Sequence, residues 1–343
     1  MAGKFERIQL FHVRMAFSAD MESVGKFAPS KVFKLFTTIL AVWWARLCYR
    51  TPVLYYPPSG PNKVPVFRDI VLLCSTRWLF RKVVFHFHAG GVSGFESHLP
   101  AALRPFFRLA YREPALSIRT APQNPEDGRN LDAHRDVVIP NGVEDARSTV
   151  TRSVAGPGRP IAILFAGVLV ESKGVRVLLE AFDLLLQKGV NARLEIMGRW
   201  NDGSLRDWSQ EFIRAGRLEE RVRFLGVLRD REKFERFAAC DVFCFPSYFE
   251  AESFGLVLVE AMQFGKPLVS TRWRGIPSVV EDGVNGYLVE VQDPRSVANR
   301  LYELAVDPAL RARMGAEGER IFEERFTLKA FHRSMEDELA KLA

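Results

Sequence analysis

From Ile161 onward the chain alternates short apolar runs with longer runs of helical period. The pattern predicts strands at Ile161–Ala166, Arg193–Met197, Val222–Leu225, Val242–Phe245 and Pro267–Ser270. Between them it predicts helices at Val175–Gln187, near Leu205–Ala215, near Lys233–Ala239 and from Ser253-Phe254 onward. Strand, helix and strand in repeated succession build a parallel, doubly wound sheet with helices on its faces. The fold class is therefore α/β, and ligands are expected beyond the carboxyl ends of the strands.

The first half alternates less regularly. Strands are expected at Ile8–Val13, Val53–Tyr56, Val83–Phe87 and Val137–Ile139, with helices near Ser30–Tyr49, Val66–Phe80 and Gly94–Tyr111. Pro140-Asn141-Gly142 makes a turn, and Val143–Pro160 reads as linker, with Gly156-Pro157-Gly158 at its end. Helices are also expected at Pro308–Phe322 and Thr327–Leu342. With 343 residues there is room for two domains. The expected division is a first domain over residues 1–142, a linker over 143–159, a second domain over 160–322 and a closing helical segment over 323–343.

Charge separates the halves. Residues 1–150 hold 20 Lys and Arg against 12 Asp and Glu, and the remainder is near balance at 28 against 29. Between Lys26 and Arg112 stand 13 basic residues and only two acidic ones, Asp69 and Glu96. A field of that sign suits an anionic membrane surface, a phosphorylated acceptor or nucleic acid. No nucleic-acid-binding motif accompanies it, so no nucleic-acid partner is expected. MAGKFERIQLF has no apolar core of a secretory signal, and the four cysteines lie in apolar runs without Cys-x-x-Cys spacing. A reducing cytoplasm and no metal site are the expectation.

The richest chemistry lies in Phe245–Gly265, FPSYFEAESFGLVLVEAMQFG. A strand runs through Pro246-Ser247 into an acidic loop and then a helix. Glu252 and Glu260 stand eight residues apart, with Ser253, Phe254, Gly255 and Leu256 between them at the helix start. Backbone N–H groups there would face an anion. Two carboxylates flanking an anion site suit a sugar diphosphate.

This segment resembles the Glu-x7-Glu region of family 4 glycosyltransferases, the group 1 glycosyltransferases. The resemblance implies the GT-B fold: two Rossmann-like domains facing a cleft, with a C-terminal helix that crosses back. It implies a retaining, metal-independent transfer of a sugar from a nucleotide-sugar donor, with no cofactor. On that pattern Glu252 orients the donor sugar and Glu260 binds the ribose. FAGVLVESKGVRVLLEAF resembles the family's donor-phosphate loop, with Gly167 and Lys173 in place, but the usual Arg is Val168. Arg272 and Arg274 are candidates to replace that charge. Gly226 matches the loop that touches the nucleotide base. Arg274–Ser278 departs from the usual Gly-Gly-x-Pro-Glu wording.

In HFHAGGVSG, alternation puts His86 and His88 on one face and Phe87 on the other. His88 resembles the family's histidine that reaches the donor sugar, and a hydrogen-bonded structural role is the alternative. Gly90–Gly94 could form a phosphate nest. Nothing in residues 1–30 matches the family's first strand and Gly-rich loop, so that unit is expected to be missing.

Ser30–Arg50 is apolar at its centre and bounded by Lys31, Lys34, Arg46 and Arg50. Two readings stand: a buried core helix, or a helix lying on the inner face of a membrane with Trp43 and Trp44 at the headgroups. The expected partners are a nucleotide-sugar and a glycan or lipid-linked acceptor, which suits cell-surface polysaccharide biosynthesis at a cytoplasmic or peripheral membrane location. The rival readings are a catalytically impaired homologue, a nucleotide-sugar epimerase of the same fold and, least favoured, a nucleic-acid binder.

Overall fold

The structure is a computed structural model that describes residues 5–15, 29–151 and 158–342. Most of the first 30 residues, where the family's Gly-rich loop would stand (1–4 and 16–28), and the Gly156-Pro157 end of the linker lie outside the described residues. The chain divides into two compact units, Met1–Pro140 with Phe331–Ala343, and Asn141–Ala330.

Unit 1 is built from α1 (Pro29–Tyr49), β1 (Val53–Tyr56), α2 (Lys63–Thr76), β2 (Lys82–Phe87), α3 (Arg104–Tyr111), β3 (Leu116–Arg119), α4 (Asp127–Asn130) and β4 (Asp136–Val138). Its four strands are parallel and lie in sequence order, β1-β2-β3-β4. Val66, Leu73, Phe85, Phe107 and Tyr111 are fully buried between this sheet and its helices.

Unit 2 follows with β5 (Ile161–Ala166), α5 (Val175–Gln187), β6 (Ala192–Met197), α6 (Gly203–Ala215), β7 (Val222–Gly226), α7 (Asp230–Ala239) and β8 (Val242–Phe245). It continues through α8 (Leu256–Met262), β9 (Leu268–Thr271), β10 (Gly286–Val289), α9 (Pro294–Val306) and α10 (Pro308–Ile321). All six strands are parallel, in the order β10-β9-β8-β5-β6-β7. Every residue of β8 and β9 is buried, as expected of parallel strands covered on both faces. The chain runs outward from β5 to β7, then returns to β5's other side as β8. Loops leaving β5 and β8 therefore diverge, and the space above the sheet between them is the place such sheets reserve for ligands.

A π-helical turn, Phe322–Phe326, leads to α11 (Leu328–Ala340). From Phe331 on, α11 belongs to unit 1. There Phe331, Met335 and Glu336 are buried, Arg135 pairs with Glu338 at 2.5 Å, and Lys82 Nζ donates to the Leu342 carbonyl at 2.7 Å.

Two expectations for unit 1 are corrected, and one strand is added. Ile8–Val13 is not a strand. Just ahead of it the Glu6 and Arg7 N–H groups donate to the Glu336 carboxylate, and further on the Phe11 ring stacks on Tyr49. Gly94–Tyr111 is not one helix but two short 3-10 turns, Ser93–His98 and Ala101–Leu103, followed by α3. Pro100 and Pro105, which lack an N–H, punctuate it. Leu116–Arg119 was not expected as a strand, because Ser117 and Arg119 interrupt its apolar run, yet both are buried. Among the described residues no strand precedes Val53.

Candidate functional site

The switch between β5 and β8 brings together residues far apart in sequence. Beyond β5, a 3-10 turn over Glu171–Lys173 leads to Gly174, which has φ +82°. A Cβ on Gly174 would lie 2.1 Å from the Pro246 carbonyl oxygen. Glycine is thus required for α5 to start so close to the exit of β8. The Tyr248 N–H donates to the Ser172 carbonyl at 2.8 Å and holds the two loops together.

Across this junction Lys173 Nζ meets Glu252 Oε2 at 2.5 Å, with side chains only 16% and 11% exposed. Ser247 Oγ donates to the same carboxylate oxygen at 3.2 Å. The ammonium also lies 4.3 Å from the Phe249 ring centroid and 5.5 Å from that of Phe245. The cation is held by a carboxylate and an aromatic shelf, and an ion pair this enclosed leaves an uncompensated charge if either partner is removed.

The Glu-x7-Glu segment is arranged differently from expectation. The helix opens at Leu256, not near Ser253-Phe254, and is seven residues long. Phe254 is pinned in the core, 2% exposed and edge-on to Phe326. Gly255 is left-handed at φ +75°, a conformation no helical turn can contain. The Leu258 N–H donates to Gly255 O, so helical bonding begins only there. Leu256 is exposed and Ser253 half-buried. Glu260 sits one turn into α8 and pairs with Lys233 of α7 at 2.6 Å. The segment offers two carboxylates, each neutralised by its own lysine.

Gly167 and Gly226 lie at carboxyl ends of β5 and β7. The Gly167 N–H donates to Met197 O at 3.0 Å, and Gly226 O accepts from the Gly198 N–H at 2.8 Å. Of the two arginine candidates, Arg272 is engaged by Asp282 at 3.1 Å and Glu290 at 3.8 Å. Arg274 has φ +48° and its guanidinium lies over the Trp273 ring at 5.4 Å. Trp273 Nε1 donates to the Phe249 carbonyl at 2.8 Å. Lysine, Phe249, Trp273 and Arg274 thus form a continuous run around the β8 loop.

His88 belongs to unit 1 and is exposed just past β2, its ring 4.1 Å from that of His86. His86 is buried, with Nδ1 2.6 Å from Tyr55 Oη and no partner on Nε2. Burial, reinforced by His88, pushes its pKa down to about 3. The Gly90–Gly94 loop is not an open nest. The N–H groups of Gly91 and Ser93 both donate to Asp127 at 2.7 Å, so a carboxylate of the chain itself fills it.

Residues 148–321, just over half of the chain, match the profile of the family described as Glycosyl transferases group 1. The chain belongs to that family. It is 36% identical over 184 residues to the phosphatidyl-myo-inositol mannosyltransferase of Mycobacterium leprae, a match covering 53% of this chain and 47% of that protein. It is 32% identical over 194 residues to the D-inositol 3-phosphate glycosyltransferase of Corynebacterium kroppenstedtii, covering 53% and 43%. The match thus takes in about half the length of these curated relatives.

Two solved structures share the fold at low identity. Sucrose-phosphate synthase from Thermosynechococcus elongatus superposes with a TM-score of 0.68 at 22% identity, covering 92% of this chain and 80% of that one. HepE from Anabaena, in complex with UDP, gives 0.70 at 22% identity, covering 89% and 82%. The α/β architecture of two parallel sheets with their helices is that of the GT-B glycosyltransferases.

Three residues of this candidate site were missed in the sequence: Lys233, Phe249 and Trp273. Lys233 looks like any charged residue on a polar helix. Only the packing of α7 beside α8 aims it at Glu260.

Proposed function

We propose that this chain is a retaining glycosyltransferase that moves a sugar from a nucleoside-diphosphate donor to a glycan or lipid-linked acceptor in cell-surface polysaccharide assembly. The observation that carries the reading is the Lys173–Glu252 pair at the β5–β8 switch point. A diphosphate is the natural rival of Glu252 for the ammonium. Once displaced, the carboxylate is available to sugar hydroxyls.

In the proposed reaction the bond between the anomeric carbon and the β-phosphate oxygen breaks. A bond to the acceptor oxygen forms on the same face, and the acceptor's proton passes to a β-phosphate oxygen. Lys173, with Arg274 in place of the charge absent at Val168, neutralises the departing diphosphate, an electrostatic contribution already oriented before reaction. These side-chain cations do the work without a metal or cofactor. Glu252 orients the donor sugar and Glu260 the ribose, while Gly167, Gly226 and the Ser253–Leu256 backbone line the donor. For His88 the proposed role is a hydrogen bond to the donor sugar.

UDP-binding by HepE supports a nucleotide donor, and the mannosyltransferase and inositol-phosphate glycosyltransferase relatives support a transferase. Thermal-shift measurements with UDP, GDP, ADP and their sugar conjugates test this. At 100 times its Kd a ligand adds about 2.7 kcal/mol of apparent stability. One nucleotide should stabilise the wild type clearly more than Lys173→Ala, and its sugar conjugate should give product with the donor's anomeric configuration by NMR. No shift with any nucleotide would refute donor binding. A shift without turnover would favour the impaired-homologue reading, which Val168 suggests.

A further inference from the structure

The helix α1 is apolar on two faces: one packs on the core of unit 1, and the other, flanked by residues 11–14, is largely exposed. Leu35, Ile39 and Val42 pack inward on the core of unit 1. On the other side Phe33, Phe36, Leu40, Trp44 and Leu47 recur at helical spacing and are 69, 58, 46, 70 and 72% exposed. A soluble surface helix carries polar groups in that position. The stripe continues onto α2. Trp43 Nε1 donates to Ser75 O at 2.9 Å, and Val71 and Phe67, one and two turns before Ser75, are also exposed. Trp78, 68% exposed, stands edge-on to Trp43 at 6.0 Å.

Charge decides what covers this face. Helix α1 has no acidic residue, while Lys31, Lys34 and Arg46 lie along it, Arg50 follows it, and Lys63 and Arg81 are exposed on neighbouring segments. The two carboxylates between Lys26 and Arg112 are engaged elsewhere: Asp69 is buried with Arg68, and Glu96 pairs with Arg108. A second copy would bring cation against cation. An anionic lipid surface offers apolar depth for the phenylalanines and leucines, an interfacial zone for tryptophan and counter-charge for the rim.

We infer that the α1–α2 face docks on an anionic phospholipid bilayer, with α1 lying in the interface. Its length and apolarity would suffice to cross a membrane. However, its inner face is committed to the core of unit 1 and Trp43 is tied to α2, so the helix lies along the surface. This rests on unit 1 alone and is independent of the transferase reading.

The test is sedimentation of the full chain with phosphatidylcholine vesicles and with vesicles containing phosphatidylglycerol. Wild type should bind the anionic vesicles at least tenfold more tightly, less so in high salt, with Trp44 quenched by brominated lipid. Phe36→Ser/Trp44→Ser/Leu47→Ser should lose that binding by at least tenfold, with circular dichroism unchanged. As a second variant, Lys31→Glu/Lys34→Glu should lose the anionic preference. No vesicle binding by wild type, undiminished binding by the triple variant, or a stable dimer that the triple variant dissolves without any lipid binding would each overturn the inference.

Discussion

Lys173 and Glu252, on loops leaving adjacent strands, face each other at 2.5 Å. The pair neutralises itself, so on the proposed function a diphosphate takes the ammonium from the carboxylate. Glu252→Gln should therefore tighten UDP or GDP binding by about 3–10-fold while lowering turnover by at least 100-fold. Lys173→Ala should weaken the same nucleotide by roughly 10–100-fold, the worth of a hydrogen bond to a charged group. Calorimetry on the two variants checks both directions; weaker binding in Glu252→Gln would mean the carboxylate helps hold the nucleotide.

Arg274 and Arg272 separate cleanly. Arg272 is held by two carboxylates, while Arg274 rests on Trp273 beside the β8 loop. Arg274→Ala should reduce nucleotide affinity about tenfold, or about 1.4 kcal/mol. Arg272→Ala should change it by less than about twofold. Equal effects in a titration would remove Arg274 from the proposed phosphate site.

Gly174→Ala tests the junction. Its Cβ would collide with the Pro246 backbone at a positive φ. We expect a loss of roughly 2 kcal/mol or more, seen as a fall of roughly 4–8 °C in Tm for a unit of this size. Gly189→Ala shares the positive φ without a neighbour in reach, and should cost less.

His86 makes unit 1 sensitive to acid. Its folded pKa of about 3 lies below the ordinary value of 6.5, so between those pH values the unfolded chain binds more protons. The stability is complete above about pH 6.5 and is lost progressively as pH falls towards 3. At pH 5 the loss from this residue is on the order of 2 kcal/mol. Denaturant titrations at pH 7 and pH 5 should show it, and His86→Gln should flatten the difference. An unchanged slope in the variant would assign the acid sensitivity elsewhere.

Much of unit 2 was legible because its strands are continuous apolar runs and its helices are amphipathic. Ile161–Ala166, Val175–Gln187 and Val242–Phe245 match residue for residue. Unit 1 was less so: buried Ser117 and Arg119 hide a strand, and Ile8–Val13 imitates one. Within the site, the sequence marked Lys173 and Glu252 but not that they meet, because 79 residues separate them and only the strand order closes that gap. The Asp127 carboxylate in the Gly90–Gly94 loop was equally unreadable, since glycines announce an anion-accepting backbone without naming the anion.

The path of α11 has a consequence for synthesis. Residues 141–330 leave the ribosome before Phe331–Leu342, yet that later segment seats Glu336, Glu338 and Leu342 against Glu6, Arg7, Arg135 and Lys82. Domains usually mature from the N-terminus as they emerge. Unit 1 thus begins ahead of unit 2 and is completed behind it, and spends the translation of unit 2 waiting for α11.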